Sequence, residues 1–208
     1  MTAKKTVLTK QLTVLGYGTC GKTSILNRQI NKKFDEKLEP TVFTSANVEY
    51  KDDQYNVELK LWDTAGQDEF SRFRHLALPN AHYVLICFNV DSRKSFEEVT
   101  NTFVPQIKEI NPKAKYFLAS TKIDLRDDAI TLEKLAAESD SVISRREGMA
   151  LAKEIEAVAY FETSAKTNIG VSEIFEQIAK YAIKEATKED KSFFTRLFEA
   201  LSCCGGTK

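Results

Sequence analysis

Gly16-Tyr17-Gly18-Thr19-Cys20-Gly21-Lys22-Thr23 is the stretch that decides the fold. It follows the apolar alternating run Leu12-Thr13-Val14-Leu15 and precedes a helical pattern, Ile25-Leu26-Asn27-Arg28-Gln29-Ile30. Strand, glycine loop and helix in that order form the context that gives a phosphate-binding motif physical content. Glycines let successive backbone N–H groups curl around an anion without Cβ clashes. The helix adds unpaired N-terminal donors and the positive end of its dipole. Lys22 supplies a point charge to the β- and γ-phosphates, and the Thr23 hydroxyl is a hard oxygen suited to Mg²⁺.

Working outward, the chain of 208 residues fits one domain with a short tail. Thirty basic and thirty acidic residues cancel, so no global field favours nucleic acid or an anionic membrane. Cysteines stand at 20, 87, 203 and 204 and histidines at 75 and 82; none pairs at metal-ligand spacing, and no zinc site is expected. Cys87, in an apolar strand, reads as a buried small hydrophobe. A reduced, cytoplasmic setting is the simplest expectation. The first ten residues lack an apolar core segment, and no run reaches transmembrane length.

Strand 1 is predicted over 7–15 and the first helix over 22–31. Residues 32–46 are polar, contain Pro40 and lack periodicity, so they read as a loop; loops of that length in compact domains are usually functional. Alternation in Asn47–Tyr50 and Tyr55–Leu61 around Lys51-Asp52-Asp53-Gln54 signals a hairpin, whose second arm ends at Trp62-Asp63-Thr64-Ala65-Gly66-Gln67. Residues 68–82 read as a polar loop with a broken helix. Tyr83–Val90 is a continuously apolar strand, expected where both sheet faces are covered. A helix capped by Asp91 or Ser92 runs through about 109, then a strand at 116–120, helices at 131–138 and 145–157, a short strand at 160–163 and a last helix over 171–186. Strands alternating with helices specify an α/β domain with a largely parallel sheet flanked on both faces. In such sheets ligands sit at the carboxyl ends of strands, where every motif named here falls.

Asp63 follows a strand, where an acidic Mg²⁺ partner of a phosphate-loop enzyme would lie. Gly66 can offer a backbone N–H to a γ-phosphate without steric cost. Gln67 carries a donor and an acceptor and can orient a water for in-line attack. In Thr121-Lys122-Ile123-Asp124 the carboxylate can accept from guanine N1–H and the 2-amino group; adenine would leave it unpaired. Such unpairing gives discrimination on the order of 10⁴–10⁵. The Lys122 stem can cover the ring face. Ser164-Ala165-Lys166 after the next strand strengthens the reading.

Together these residues resemble the Ras superfamily of small GTPases, with details similar to its Rho/Rac branch. Glu39-Pro40-Thr41-Val42-Phe43 resembles that branch's first switch, Trp62–Phe70 its second, and Thr121–Arg126 its base-recognition segment. The resemblance covers about 7–186. It implies a phosphate-loop fold with a mostly parallel six-stranded sheet, a G-domain over 1–187 with an insert helix within 127–143, and a hypervariable tail over 188–208. It implies GTP or GDP as ligand with Mg²⁺. The implied nucleotide site comprises Gly16, Gly18, Thr19, Cys20, Gly21, Lys22, Thr23, Ser24, Phe34, Thr41, Asp63, Ala65, Gly66, Thr121, Lys122, Asp124, Ser164, Ala165 and Lys166. Within it Thr23, Thr41 and, through water, Asp63 hold the metal. Thr41 also senses the γ-phosphate, Phe34 packs at the guanine edge, and Ala165 gives a backbone N–H to guanine O6. Lys22, Thr41 and Gln67 carry catalysis. Gly18 must stay small so that an arginine finger and Gln67 can reach the phosphate. No obvious intrinsic arginine finger stands at a motif position. Basal turnover is therefore expected to be slow and to rise roughly 10³–10⁵-fold with an activating protein. Exchange factor, activating protein and effectors are expected to act through 35–46 and 65–80, on a monomeric switch in signalling, by family resemblance at the actin cytoskeleton or membranes.

Four departures from the family pattern stand out: Leu38 stands for a tyrosine, Tyr17 for an acidic residue, His75 for a proline, and Cys203-Cys204-Gly205-Gly206-Thr207-Lys208 is not a prenylation box. Phe193, Phe194, Leu197, Phe198 and Leu201 fall on one helical face. With acylated Cys203 and Cys204 that face would make a peripheral membrane anchor; packing against the domain or a partner is the alternative. Two rival functions stay open at this point. One is a GTP-loaded scaffold that barely hydrolyses, favoured by Leu38 and Tyr17. The other is a phosphate-loop ATPase or kinase, disfavoured by Asp124 and Ser164–Lys166.

Overall fold

The computed structural model describes residues 5–35, 43–64 and 75–203. Six strands, β1 (Thr6–Gly16), β2 (Phe43–Lys51), β3 (Tyr55–Thr64), β4 (Tyr83–Asn89), β5 (Lys115–Thr121) and β6 (Tyr160–Glu162), form one sheet in the order β2-β3-β1-β4-β5-β6. Only β2 is antiparallel to its neighbour. The parallel strands all end on one side, which brings Gly16, Thr64, Thr121 and Glu162 to the same edge of the molecule.

The wholly buried strand β4 shows how the two faces are covered. Tyr83, Leu85 and Cys87 pack with Ile25 and Leu26 of α1 (Lys22–Asn31) and with Ile174, Phe175 and Ile178 of α6 (Val171–Cys203). The alternate residues Val84, Ile86 and Phe88 pack with Val99, Phe103, Ile107 and Leu151 on the other face. Period-two side chains inside a continuous apolar run thus serve two cores at once. Each fully buried large apolar side chain contributes about 1.5–3 kcal/mol. The second face is covered by α2 (Arg93–Glu98), a π-helical stretch at Val99–Phe103, α3 (Val104–Ile110) and α5 (Arg145–Glu154). α4 (Ala129–Ala137) lies in the segment 127–143 expected to carry an extra helix, and a 3₁₀ turn, Ile123–Asp127, leads into it.

Several boundaries differ from the sequence reading. Strand β2 begins at Phe43 inside the expected loop 32–46, because Phe43 pairs with Thr64 and the ladder continues to Lys51–Asn56. The hairpin turn is closed by Asp52, whose Oδ1 accepts from the backbone N–H groups of Gln54 and Tyr55 at 2.8 and 2.6 Å. The expected helix through 109 is broken by the π-helical stretch, and the one expected over 145–157 ends at Glu154. Of the expected loop 68–82, residues 75–77 are helical, with His75 exposed. The last helix does not stop at 186: α6 is one helix of 33 residues, with no glycine or proline inside it to end it. Among the described residues no helix is long and apolar enough to cross a membrane.

Candidate nucleotide site

The loop after β1 is built to approach its neighbours closely. A Cβ on Gly16, at φ +149°, would lie 2.3 Å from the Cys87 carbonyl oxygen, so only glycine lets this loop settle against β4. Thr19 sits at φ 60°, an outlier for a β-branched residue, and is exposed. Strain of this kind clusters at ligand clamps. Lys22 is buried, and its Nζ donates to the carbonyls of Gly16 and Tyr17, both at 2.9 Å. Those bonds curl the loop around the ammonium. Cys20 and Cys87 are buried free thiols; Cys20 Sγ lies 3.5 Å from the Cys87 carbonyl oxygen, and burial pushes the Cys87 thiol well above its usual range.

Thr23, at the first turn of α1, donates its hydroxyl to Asp63 Oδ2 at 2.7 Å. Asp63, near the end of β3, is only 2% exposed, and its Oδ1 is buried without a hydrogen-bond partner among the described residues. Burial raises its carboxyl above the ordinary range, while the Thr23 bond and the Lys22 charge pull it down. A buried hydroxyl–carboxylate pair with an orphaned oxygen is a hard-oxygen donor set, and it fits Mg²⁺. Thr41, Ala65, Gly66 and Gln67 lie outside the described residues, as does Leu38.

The base-recognition candidates are tied to the loop and to each other. Thr121 is buried, and its hydroxyl donates to the Cys20 carbonyl and, at 3.2 Å, to that of Phe88. Lys122 takes a left-handed conformation, φ 55°, and caps the 3₁₀ turn that carries Asp124. Its Nζ lies 3.8 Å from Asp91 Oδ1, which also accepts from Asn89 Nδ2 at 2.6 Å. Asp124 is half-buried. The Ile123 N–H donates to the Thr163 carbonyl at 3.1 Å, joining this turn to the segment after β6. That segment folds back on itself: Ser164 and Ile169 exchange two backbone bonds of 3.0 Å, and Ser164 Oγ accepts from the Thr167 N–H at 3.1 Å. Gly170, at φ +70°, closes it where a Cβ would lie 2.1 Å from the Glu162 carbonyl oxygen. Ser164 and Ala165 are buried and Lys166 is exposed. Phe34, two residues past the left-handed C-cap Lys32 of α1, is half-buried.

The described candidates thus gather on one rim of the sheet, held by hydrogen bonds that run between three loops. The sequence of the Ras family matches residues 11–184. The chain is also 39% identical over 175 residues to the GTP-binding protein rho5 of Schizosaccharomyces pombe, spanning 84% of this chain and 88% of that protein. The chain belongs to the Ras family. Within it the chain is a Rho-type small GTPase, with guanine nucleotide as its ligand.

Two contacts of this GTPase were not legible in its sequence. Arg28 reaches from α1 to the carbonyls of Ala165 and Lys166, 137 and 138 residues away. Lys94, at the start of α2, stands over the Tyr17 ring with its Nζ 4.9 Å from the centroid. The departure at position 17 is therefore accommodated by a cation over an aromatic face.

Proposed function

We propose that this Rho-type GTPase hydrolyses GTP slowly with Mg²⁺ and switches between two surfaces. The observation that carries the reading is the pairing of Thr23 and Asp63 beside the collapsed Lys22 loop: a buried carboxylate oxygen with no partner among the described residues is costly unless it serves a cation. Thr23 and Thr41, with Asp63 through water, would hold Mg²⁺. When bound, the ion neutralises charge that develops on the phosphate oxygens.

The chain's own residues do the remainder. Lys22 places its ammonium against the phosphates, and the amides of Gly16–Thr23 grip them. Thr121 holds the phosphate loop and base segment in one register, and Asp124 reads the purine. Gln67 orients the attacking water, with Gly18 leaving room for an activator's arginine. Thr41 and Gly66 contact the γ-phosphate and order residues 35–46 and 65–80, which exchange factors, activators and effectors would read. Residues 127–143 act as the branch's insert, and 188–208 as a tail for peripheral membrane contact.

Nucleotide analysis of the purified protein, followed by GTP turnover with and without candidate activators, tests this reading. Bound GDP or GTP, slow turnover and a roughly 10³–10⁵-fold stimulation are expected. Gln67→Leu should keep binding and lose stimulation. Protein that emerges empty and stays indifferent to guanine nucleotides with Mg²⁺ would end the reading; unchanged stimulation in Gln67→Leu would remove that residue from it.

A further inference from the structure

Arg28 lies on α1 with a half-buried side chain, and it ends in three carbonyl groups. Its Nη1 donates to the Lys32 carbonyl at 3.1 Å, its Nε to that of Ala165 at 3.0 Å and its Nη2 to that of Lys166 at 3.1 Å. The first bond is an ordinary service: a helix end leaves carbonyls unpaired, and a basic side chain in the last turn suits the dipole. The other two bonds do nothing for α1. They take hold of the segment after β6, whose Ser164 to Ile169 turn closes on itself and whose Thr163 carbonyl accepts from the Ile123 N–H. The planar guanidinium presents its N–H groups in a fixed fork, so the positions of the three carbonyls are set relative to one another. Lys32 precedes Phe34 by two residues, and Ala165 sits in the segment expected to meet the purine. One side chain therefore spans the two walls between which the base would lie.

We propose that Arg28 is a positioning residue for the guanine ring. It holds the Ala165–Lys166 backbone so that the Ala165 N–H points at the base oxygen, and it fixes the same wall against the α1 terminus leading to Phe34. The inference rests on the reading that Ala165 donates to guanine O6. Its consequence is specific to that atom. Loosening the clamp should cost nucleotides that carry O6 and spare one that lacks it, whereas a general loosening of the domain would affect both.

The experiment uses the full chain loaded with Mg²⁺ and either GDP or 2-aminopurine riboside diphosphate, which keeps the 2-amino group and lacks both O6 and the N1 proton; the lost Asp124 bond is common to every form of the protein, so the comparison is between variants. Dissociation rates are measured for the natural protein, Arg28→Met and Arg28→Lys, with melting curves of the GDP-loaded forms to show that each is folded. In the natural protein GDP should leave more slowly than the analogue. Arg28→Met should release GDP about tenfold faster, a change of affinity that corresponds to one lost polar contact, and leave analogue release within about twofold. Arg28→Lys keeps the charge and loses the fork, so it should fall between; it carries the same test if Arg28→Met does not fold. Equal acceleration of both nucleotides, or no acceleration of GDP, overturns the role assigned to Arg28. If the natural protein already releases the two nucleotides alike, the Ala165–O6 reading is wrong, and the inference falls with it for a reason visible without any variant.

Discussion

Replacing Thr121 by valine removes one hydroxyl and keeps the side-chain shape. That hydroxyl donates to the carbonyls of Cys20 and Phe88 and is buried, so valine opens no cavity and leaves acceptors inside the protein without their donor. A buried acceptor left unpaired costs about 1–3 kcal/mol. In a domain of this size about 1 kcal/mol moves the melting temperature by roughly 2–4 °C, so a fall of roughly 2–12 °C is expected. The Cys20 bond is also a strut between the phosphate loop and the base segment. If about 1.4 kcal/mol of the loss falls on the bound state, GDP leaves about ten times faster. The control is Ser120→Ala, one residue earlier in β5. Ser120 is fully buried, and its hydroxyl donates to the Phe161 carbonyl at 3.3 Å and accepts from Tyr160 at 3.0 Å, away from the phosphate loop. It should lower the melting temperature and leave GDP release unchanged. Melting curves with excess GDP and release of a fluorescent GDP report the two quantities. Thr121→Val with unchanged GDP release, or Ser120→Ala with equal acceleration, would refute the strut.

In Mg²⁺-free protein Asp63→Asn should raise the melting temperature near neutral pH. Burial lifts the folded carboxyl above its unfolded value, so its ionisation destabilises the fold as pH rises through that window. The same variant should lose the gain that Mg²⁺ brings, about 2.7 kcal/mol at a hundredfold excess over the dissociation constant; a variant that still gains from Mg²⁺ contradicts the donor set. Glu147 completes a capping box with Ser144 at the start of α5. Burial pushes its carboxyl up, but the Ser144 N–H and hydroxyl and Arg93 outweigh it and hold it at about 2. Glu147→Gln should cost about 1 kcal/mol at pH 7. Because the folded value is depressed, that difference should fade as pH falls from the ordinary carboxylate range to about 2, read by urea unfolding at several pH values. Lys94→Met combined with Tyr17→Leu in a double-mutant cycle should give a coupling of about 0.5–1 kcal/mol in stability. A coupling of zero would mean that the ring and the ammonium are neighbours without attraction.

How far the chain could be read in advance depends on how local each signal is. The phosphate loop, the hairpin and the strand Tyr83–Asn89 were legible because their evidence lies in adjacent residues. The start of β2 was not, since Phe43 joins the sheet through Thr64, which supplies the ladder partners that local composition could not. The length of α6 was legible in principle: its residues hold no glycine or proline, and the first glycine after it is Gly205. The expected end at 186 falls inside that unbroken run, where no helix-breaking residue stands. The roles of Thr41, Gly66 and Gln67 rest on family resemblance and lie outside the described residues.

By itself the sequence determined where a strand would hand over to a glycine loop and helix, which faces of β4 would be buried, and which acidic and basic residues would reach the rim. Those follow from side-chain period, backbone freedom and charge, all of which act between near neighbours. The tertiary structure alone decided how the rim is held together: Thr121 to Cys20 across 101 residues, and Arg28 to Ala165 across 137. The physical reason is that a hydrogen bond between distant segments leaves no periodicity in either of them. Its donor looks like any other threonine or arginine until folding brings the acceptor within reach.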